Sequence, residues 1–301
     1  MVLRLPTERT EFLFFISGDD RRYVQHAGTD KEETLIAQAQ IKRFLSHDWQ
    51  MGLRVQGLYQ NMMFDASASE TELMAVKLQG PGFSLRPSVR KEFNGGFYGE
   101  AEFEVTRQYL APPLDNYWLG GPRLTLGYEY GVRSELALSY AVLRQNYDHR
   151  SQTTLAGAPV PGTSLAFLVH DVELAWRHHW DPGKHWRTAT KLKYQNHRDN
   201  GFGFYDYDKY GGAEEIRYRV AGFQISAQVK INRYDYAGRY AGQEPQSREW
   251  ITGFAGNLRA EQALWKKLKV YAEYEYERYL SNEAFMEYEV NCVSSGLDWE
   301  F

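Results

Sequence analysis

The chain has 301 residues, a formal net charge of -4 and a single cysteine, Cys292. That charge balance excludes the basic field that draws in nucleic acid, and one cysteine excludes an intrachain disulfide. Tyr (22), Phe (16) and Trp (8) make up 15% of the chain, yet mean hydropathy is -0.59, so rings stand beside charges as on a surface of alternating faces. No run of about 18 apolar residues occurs, so no membrane-spanning helix is written in the sequence. The opening MVLRLPTERTEFLFF lacks the basic region, apolar core and small-residue cleavage site of a signal peptide. For an exported protein the expectation is that such a signal preceded Met1 and was removed.

Period-2 segments fill the chain, and helical periodicity is hard to find. Residues 1–9 read as a lead-in, and a first strand is expected near 10–17. Stripes at 34–45 and 50–64 follow, joined by Ser46-His47-Asp48, with Arg54 on the polar side of the second. After a Gly80-Pro81-Gly82 break, 82–93 places Arg86 and Arg90 on one face and turns at Asn94-Gly95-Gly96. In FYGEAEFEV, Phe97, Ala101, Phe103 and Val105 oppose Glu100, Glu102 and Glu104. In RLTLGYEY, Leu124, Leu126, Tyr128 and Tyr130 oppose Arg123, Thr125 and Glu129, and a turn near Arg133-Ser134 leads into 136–147. The stripe 168–180 carries Glu173 and Arg177 on its polar face and ends in Asp181-Pro182-Gly183-Lys184. WRTATKLKYQ then sets Trp186, Leu192 and Tyr194 against Arg187, Lys191 and Lys193. A short piece at 213–220 precedes FQISAQVKIN, where Lys230 lies on the polar face. Arg259 and Glu261 lie within 249–264, and LKVYAEYEYE sets Lys269, Glu273, Glu275 and Glu277 against Leu268, Val270, Ala272, Tyr274 and Tyr276.

These strands are long, roughly ten to fifteen residues, where a tilted bilayer crossing takes about nine to eleven. Tight turns alternate with longer polar stretches at 18–32, 65–71, 110–120, 148–163, 199–213, 238–248 and 281–284. Short turns on one side and long loops on the other are the rhythm of a transmembrane β-barrel. The fold expected is all-β: a single closed antiparallel transmembrane barrel over 10–301, of about fourteen strands, with twelve or sixteen also fitting the pattern. Rings at the stripe ends (Trp180, Trp186, Trp250, Trp265, Trp299, Tyr128, Tyr130, Tyr140 and Tyr194) read as interfacial girdles. A soluble β-sandwich is the competing architecture; it does not account for long strands and alternating loop lengths together.

The last nine residues, VSSGLDWEF, alternate Leu297, Trp299 and Phe301 with Asp298 and Glu300. With Ser294, Gly296, Trp299 and Phe301 at the spaced positions, the stretch resembles the C-terminal β-signal of bacterial outer-membrane proteins. The resemblance implies recognition of this strand by the barrel-assembly machinery, an edge-pairing event. It also implies an integral outer-membrane location among outer-membrane lipids and lipopolysaccharide. The strand pattern is similar to that of the monomeric porins. Long-chain fatty-acid transporters carry an N-terminal plug for which this chain has no room, and export-system barrels carry periplasmic repeats that are not visible here.

If the apolar faces meet lipid, the charged residues named above line a lumen. Both signs are present, and Arg86 and Arg90 share a hairpin with the Glu100–Glu104 ladder. Glu173 and Arg177 share one with Arg187, Lys191 and Lys193, and Arg259 and Glu261 share one with Lys269 and Glu273. Opposed patches set a field across a wet pore, or they satisfy one another and hold the wall. Catalytic readings are weaker. His149-x-Ser151 has the base–nucleophile spacing of outer-membrane phospholipases and lipid A deacylases but lacks the third, orienting group downstream. His178-His179 point to opposite strand faces and do not make a joint metal site. Asp206 and Asp208 in YDYDKYGG, and Asp19-Asp20, read as solvated charge. No cofactor or metal is expected, nor nucleic acid as a partner. The function expected is a passive channel for small polar solutes, not an enzyme, with loops 148–163, 199–213 and 238–248 as gates. The alternatives are the barrel subunit of an export, secretion or surface-assembly complex with periplasmic partners and, more distantly, an outer-membrane lipid hydrolase.

Overall fold

Long alternating segments pair with their chain neighbours, because in that arrangement every backbone donor and acceptor finds a partner one strand away. The computed structural model describes all residues except Met1, Glu8, 23–30, 66–74, 243–246, Lys267, 284–285 and 300–301. The strands are β1 (Val2–Pro6), β2 (Thr10–Arg22), β3 (Lys31–Phe44), β4 (Trp49–Asp65) and β5 (Ala75–Glu92). There follow β6 (Phe97–Gln108), β7 (Tyr117–Tyr130), β8 (Ser134–Tyr147), β9 (Ala166–His179) and β10 (Trp186–Asp199). The last are β11 (Tyr207–Val220), β12 (Phe223–Tyr240), β13 (Arg248–Trp265), β14 (Leu268–Ser281) and β15 (Tyr288–Trp299). They lie in one sheet in chain order. Fourteen of them are long, from the 12 residues of β6 and β15 to the 18 of β5, β12 and β13. The short turns and longer loops alternate as expected.

The chain divides into two compact units, one comprising Met1–Thr125, Ala141–His170 and Arg198–Phe204, the other Leu126–Tyr140, Asp171–His197 and Tyr205–Phe301. In the first, β1 to β6 pair antiparallel with Val2 opposite Phe15, Gln40 opposite Arg54, Arg54 opposite Arg86 and Ser88 opposite Glu102. In the second, β10 to β15 pair with Ala189 opposite Glu215, Arg259 opposite Glu273 and Val270 opposite Leu297.

Three elements differ from the sequence expectation. Residues 2–6 are not a lead-in: they pair along β2 from Phe15 to Glu11. Gly80-Pro81-Gly82 is not a break: β5 runs through it, with Tyr59 opposite Pro81. Pairing continues past the missing proline N–H, because the Pro81 carbonyl still accepts from the Tyr109 N–H (2.9 Å). Gly80 sits at φ 153°, and a Cβ there would come within 2.0 Å of the Tyr109 carbonyl oxygen, so only glycine permits that approach. Third, β11 begins at Tyr207, so Tyr207–Gly212 of YDYDKYGG is strand where a loop was expected. Gly211-Gly212 mimic a turn in composition but sit in register opposite Lys193 and Leu192. The 18–32 loop likewise shrinks, since β2 reaches Arg22 and β3 starts at Lys31.

The apolar faces are the exposed ones. Leu126 is 67% exposed, Val229 62% and Val293 80%. The charged faces are sheltered, with the side chains of Glu104 and Asp171 at 12% and 6%. A water-soluble sheet has this order reversed, since each buried aliphatic side chain contributes about 1.5–3 kcal/mol on leaving water.

Candidate functional site: the charged face of the sheet

Alternation sends every second side chain to the sheltered face, and in the first unit that face is rich in arginine. Arg86 Nη2 donates to Glu104 Oε1 (2.7 Å), which also accepts from Thr106 Oγ1 (3.1 Å). The Arg90 guanidinium lies 3.7 Å from the centre of the Tyr98 ring. Arg54 stands opposite Arg86 with no ion partner among the described residues, and its Nε, like that of Arg86, is buried without a hydrogen bond. Around these lies a recess of about 520 Å³ that Lys42, Ser88, Glu100 and Glu102 also line.

In the second unit the charges pair both across and along strands. Arg177 bonds Glu135 (2.5 Å), Lys193 bonds Asp171 (2.7 Å), and Glu215 accepts from Arg187 (2.5 Å) and Arg217 (2.8 Å). Arg259 bridges Glu261 (2.6 Å) and Glu273 (3.0 Å), and Asn257 donates to the same Glu273. Glu277 accepts from the Tyr288 hydroxyl (3.0 Å), and Lys230, Glu275 and Glu277 line a recess of about 670 Å³. Glu129 lines another beside Glu135 and Arg177, and Lys191 a third beside Arg187 and Glu215.

The hairpin grouping expected for Arg86 with the Glu100–Glu104 ladder, and for Arg259 with Glu273, matches these contacts. The grouping around Arg177, Arg187 and Lys193 does not, because their partners are Glu135, Asp171 and Glu215, which sequence reasoning missed. Glu135 hides beside a turn, Asp171 sits in the apolar run LVHDVELAW, and Glu215 lies in the segment taken as a short piece. The period-2 rule carried into β9 and β11 is the signal that would have found the last two. Arg123, Glu173 and Lys269 lie on β7, β9 and β14 at the parity of the charged face.

The remaining candidates fall elsewhere. No hydrogen bond joins the His149 ring to the Ser151 hydroxyl; the His149 and Arg150 N–H groups instead donate to Asp115 Oδ2 (2.6 and 2.7 Å). His178 Nδ1 meets the Tyr130 hydroxyl (3.2 Å), while His179 Nδ1 donates to the Arg133 carbonyl (3.2 Å), as opposite faces require. Asp208 Oδ1 accepts from Tyr194 Oη (3.1 Å) and Asn196 Nδ2 (2.7 Å) within the sheet. Asp19 and Asp20 are strand residues opposite Thr34 and Glu33. Among the described residues no three His, Cys, Asp or Glu gather as for a metal. Ser294 and Gly296 lie in β15 opposite Glu273 and Tyr271, Trp299 is its last residue, and Phe301 lies outside the described residues.

The loop 148–165 is built rather than slack. Asp148 pairs with Arg107, which holds its carboxyl below the usual carboxylate range. Asn200 Oδ1 accepts the Ala166 N–H (2.9 Å), Asn200 Nδ2 donates to the Ser164 carbonyl (3.0 Å), and Gln152 Nε2 donates to the Asn200 carbonyl (3.1 Å). Leu165 beneath is fully buried. Two short turns carry perturbed groups. His47 is raised by its hydrogen bond to Asp48, and Asp181 is lowered to about 2 by the N–H groups of Trp186 and His185.

No family model matches the chain, and no curated protein matches it. Among solved structures it is similar to FpvA of P. aeruginosa bound to heterologous pyoverdines (TM-score 0.50, 9% identity), covering 97% of this chain. It spans only 55% of that chain. It is also similar to OmpT, an outer membrane protein of Vibrio cholerae (TM-score 0.46, 10% identity, 98% of this chain and 99% of that one). A third is the anion-selective porin from Comamonas acidovorans (TM-score 0.44, 11% identity, 96% and 97%). With its single antiparallel sheet of fourteen long strands, the chain has the all-β fold of outer-membrane barrel proteins.

Proposed function

We propose that the protein is an integral outer-membrane channel through which small polar solutes pass by diffusion, with the charged sheet face lining the path. The observation that carries this reading is the inversion of exposure: aliphatic and aromatic side chains stand uncovered along strands of bilayer length, while arginine–carboxylate pairs stand sheltered. Lipid is the medium in which that inversion is stable, since each strand hydrogen-bonds its chain neighbours within one sheet. Outer-membrane lipids and lipopolysaccharide are the partners of the apolar face. The assembly machinery is the partner of β15 through Ser294, Gly296, Trp299 and Phe301. In this reading loop 148–165, with its ties to Arg107, Asp115 and Asn200, is a fixed rim of the mouth rather than a gate.

The test is a planar-bilayer recording of the purified protein with salt varied. Discrete steps of steady conductance are expected, and the reversal potential in a salt gradient gives the dominant charge. A protein that inserts and stays silent at all voltages overturns the reading.

A further inference from the structure

The recess on β3 to β6 has an organisation that charge pairing alone does not require. Its middle row runs Lys42, Gly52, Ser88, Glu102, each opposite the next. The two central positions are the smallest in the row, and they lie close: a Cβ on Gly52 would meet Ser88 Oγ at 2.5 Å, so the serine hydroxyl would have to turn away. The row is therefore a floor with a cation at one end and a carboxylate at the other. Flanking rows repeat the polarity, with Arg54 and Arg86 leading to Glu104 on one side and Arg90 to Glu100 on the other.

Within that frame the charges divide into two sets. Arg86 pairs with Glu104, and Arg90 with Glu92 (3.5 Å) and the Tyr98 ring. Lys42, Arg54, Glu100 and Glu102 make no hydrogen bond or ion pair with any described residue, although all four are half-buried. Two unpaired cations on one wall and two unpaired carboxylates on the other face a shared volume of about 520 Å³. Sheltered charges are costly unless a partner meets them, and a partner of one sign satisfies only one wall. Lys42 and Glu102 stand three strands apart, about 14 Å between backbones at about 4.8 Å per strand. The side chains at both ends shorten that span toward the length of a dipeptide.

We infer that this recess is a binding step for zwitterionic solutes of short-peptide size, the solute carboxylate meeting Lys42 and Arg54 and its ammonium meeting Glu100 and Glu102. The inference rests on the channel reading for its physiological meaning, but the site is testable without conductance. Ligand-observed saturation-transfer NMR on the full chain folded in detergent would compare glycylglycine with N-acetylglycine, an anion, and glycinamide, a cation. Glycylglycine is expected to bind about tenfold more tightly than either singly charged probe, the cost of one lost charge-assisted contact. Glu102→Gln should abolish its advantage over N-acetylglycine, and Arg54→Gln its advantage over glycinamide. Neither substitution breaks an existing pair, and Arg54→Gln relieves the repulsion from Arg86, so both variants should fold. Equal binding of the three probes, or an advantage unchanged in both variants, overturns the site. N-acetylglycine binding as well as glycylglycine identifies a plain anion site and also overturns it. A conducting channel without the preference ends this inference alone, whereas binding with the preference by a silent protein ends the channel reading alone.

Discussion

Asp181 closes the turn between β9 and β10 by offering one carboxylate oxygen to the Trp186 N–H (2.8 Å) and the other to the His185 N–H (3.1 Å) and His185 Nδ1 (2.7 Å). Hydrogen bonds to the charged form lower its pKa to about 2. A carboxylate held below its ordinary value contributes stability that is complete above that value and disappears as pH falls through the lowered one. The melting midpoint of the detergent-folded protein, read by the mobility shift on heating, should therefore fall between pH 4 and pH 2. In Asp181→Ala the midpoint should be lower at pH 7 and the acid drop smaller; parallel curves for the two proteins would mean the turn carries none of the effect. The bonds at this turn are within five residues, so Asp-Pro-Gly-Lys announces them in the sequence. The bonds of Arg177 and Lys193 reach residues 42 and 22 positions away, and nothing local announces those.

Strands were legible because a sheet with one apolar face imprints period 2 on each segment separately. Register is not imprinted that way. Whether Arg187 faces Glu173 or Glu215 depends on how neighbouring strands slide, and composition is the same in either case. Glycine misled twice for one reason: Gly80 and Gly211 serve close packing inside strands, yet their composition is that of a turn. Two predictions follow from this geometry. Gly80→Ala forces a Cβ onto the Tyr109 carbonyl and should destabilise the folded protein by about 1–3 kcal/mol, read by denaturant unfolding in micelles; a wild-type midpoint would mean β5 bends freely there. Leu124, eighth of fourteen residues in β7, is 59% exposed on the apolar face, and Thr125 beside it lies on the charged face. Leu124→Arg should cost about 2–4 kcal/mol of stability in lipid vesicles, while Thr125→Arg should stay within about 0.5 kcal/mol of wild type. Equal losses would mean that the two faces of β7 meet the same medium.

At the scale of the whole chain, the eight tryptophans settle at strand ends. Trp49, Trp186, Trp265 and Trp299 are terminal residues of β4, β10, β13 and β15; Trp118 and Trp250 lie second and third in β7 and β13. Trp176 is in the last turn-ward stretch of β9, and Trp180 is the first residue beyond it. The exposed rings among them reach 72% at Trp265. An indole has an apolar body and one N–H donor, so in a bilayer it is most stable where hydrocarbon meets headgroup. In a water-soluble sheet the same ring would be buried at mid-strand, where it covers the most apolar surface. The two media therefore predict opposite tryptophan depths. Fluorescence quenching by lipids brominated near the headgroup should exceed quenching by lipids brominated near the acyl-chain end, and aqueous acrylamide should quench less than either. Strong acrylamide quenching with no response to brominated lipid would mean that the exposed apolar face meets water or protein, and the membrane reading would fall with it.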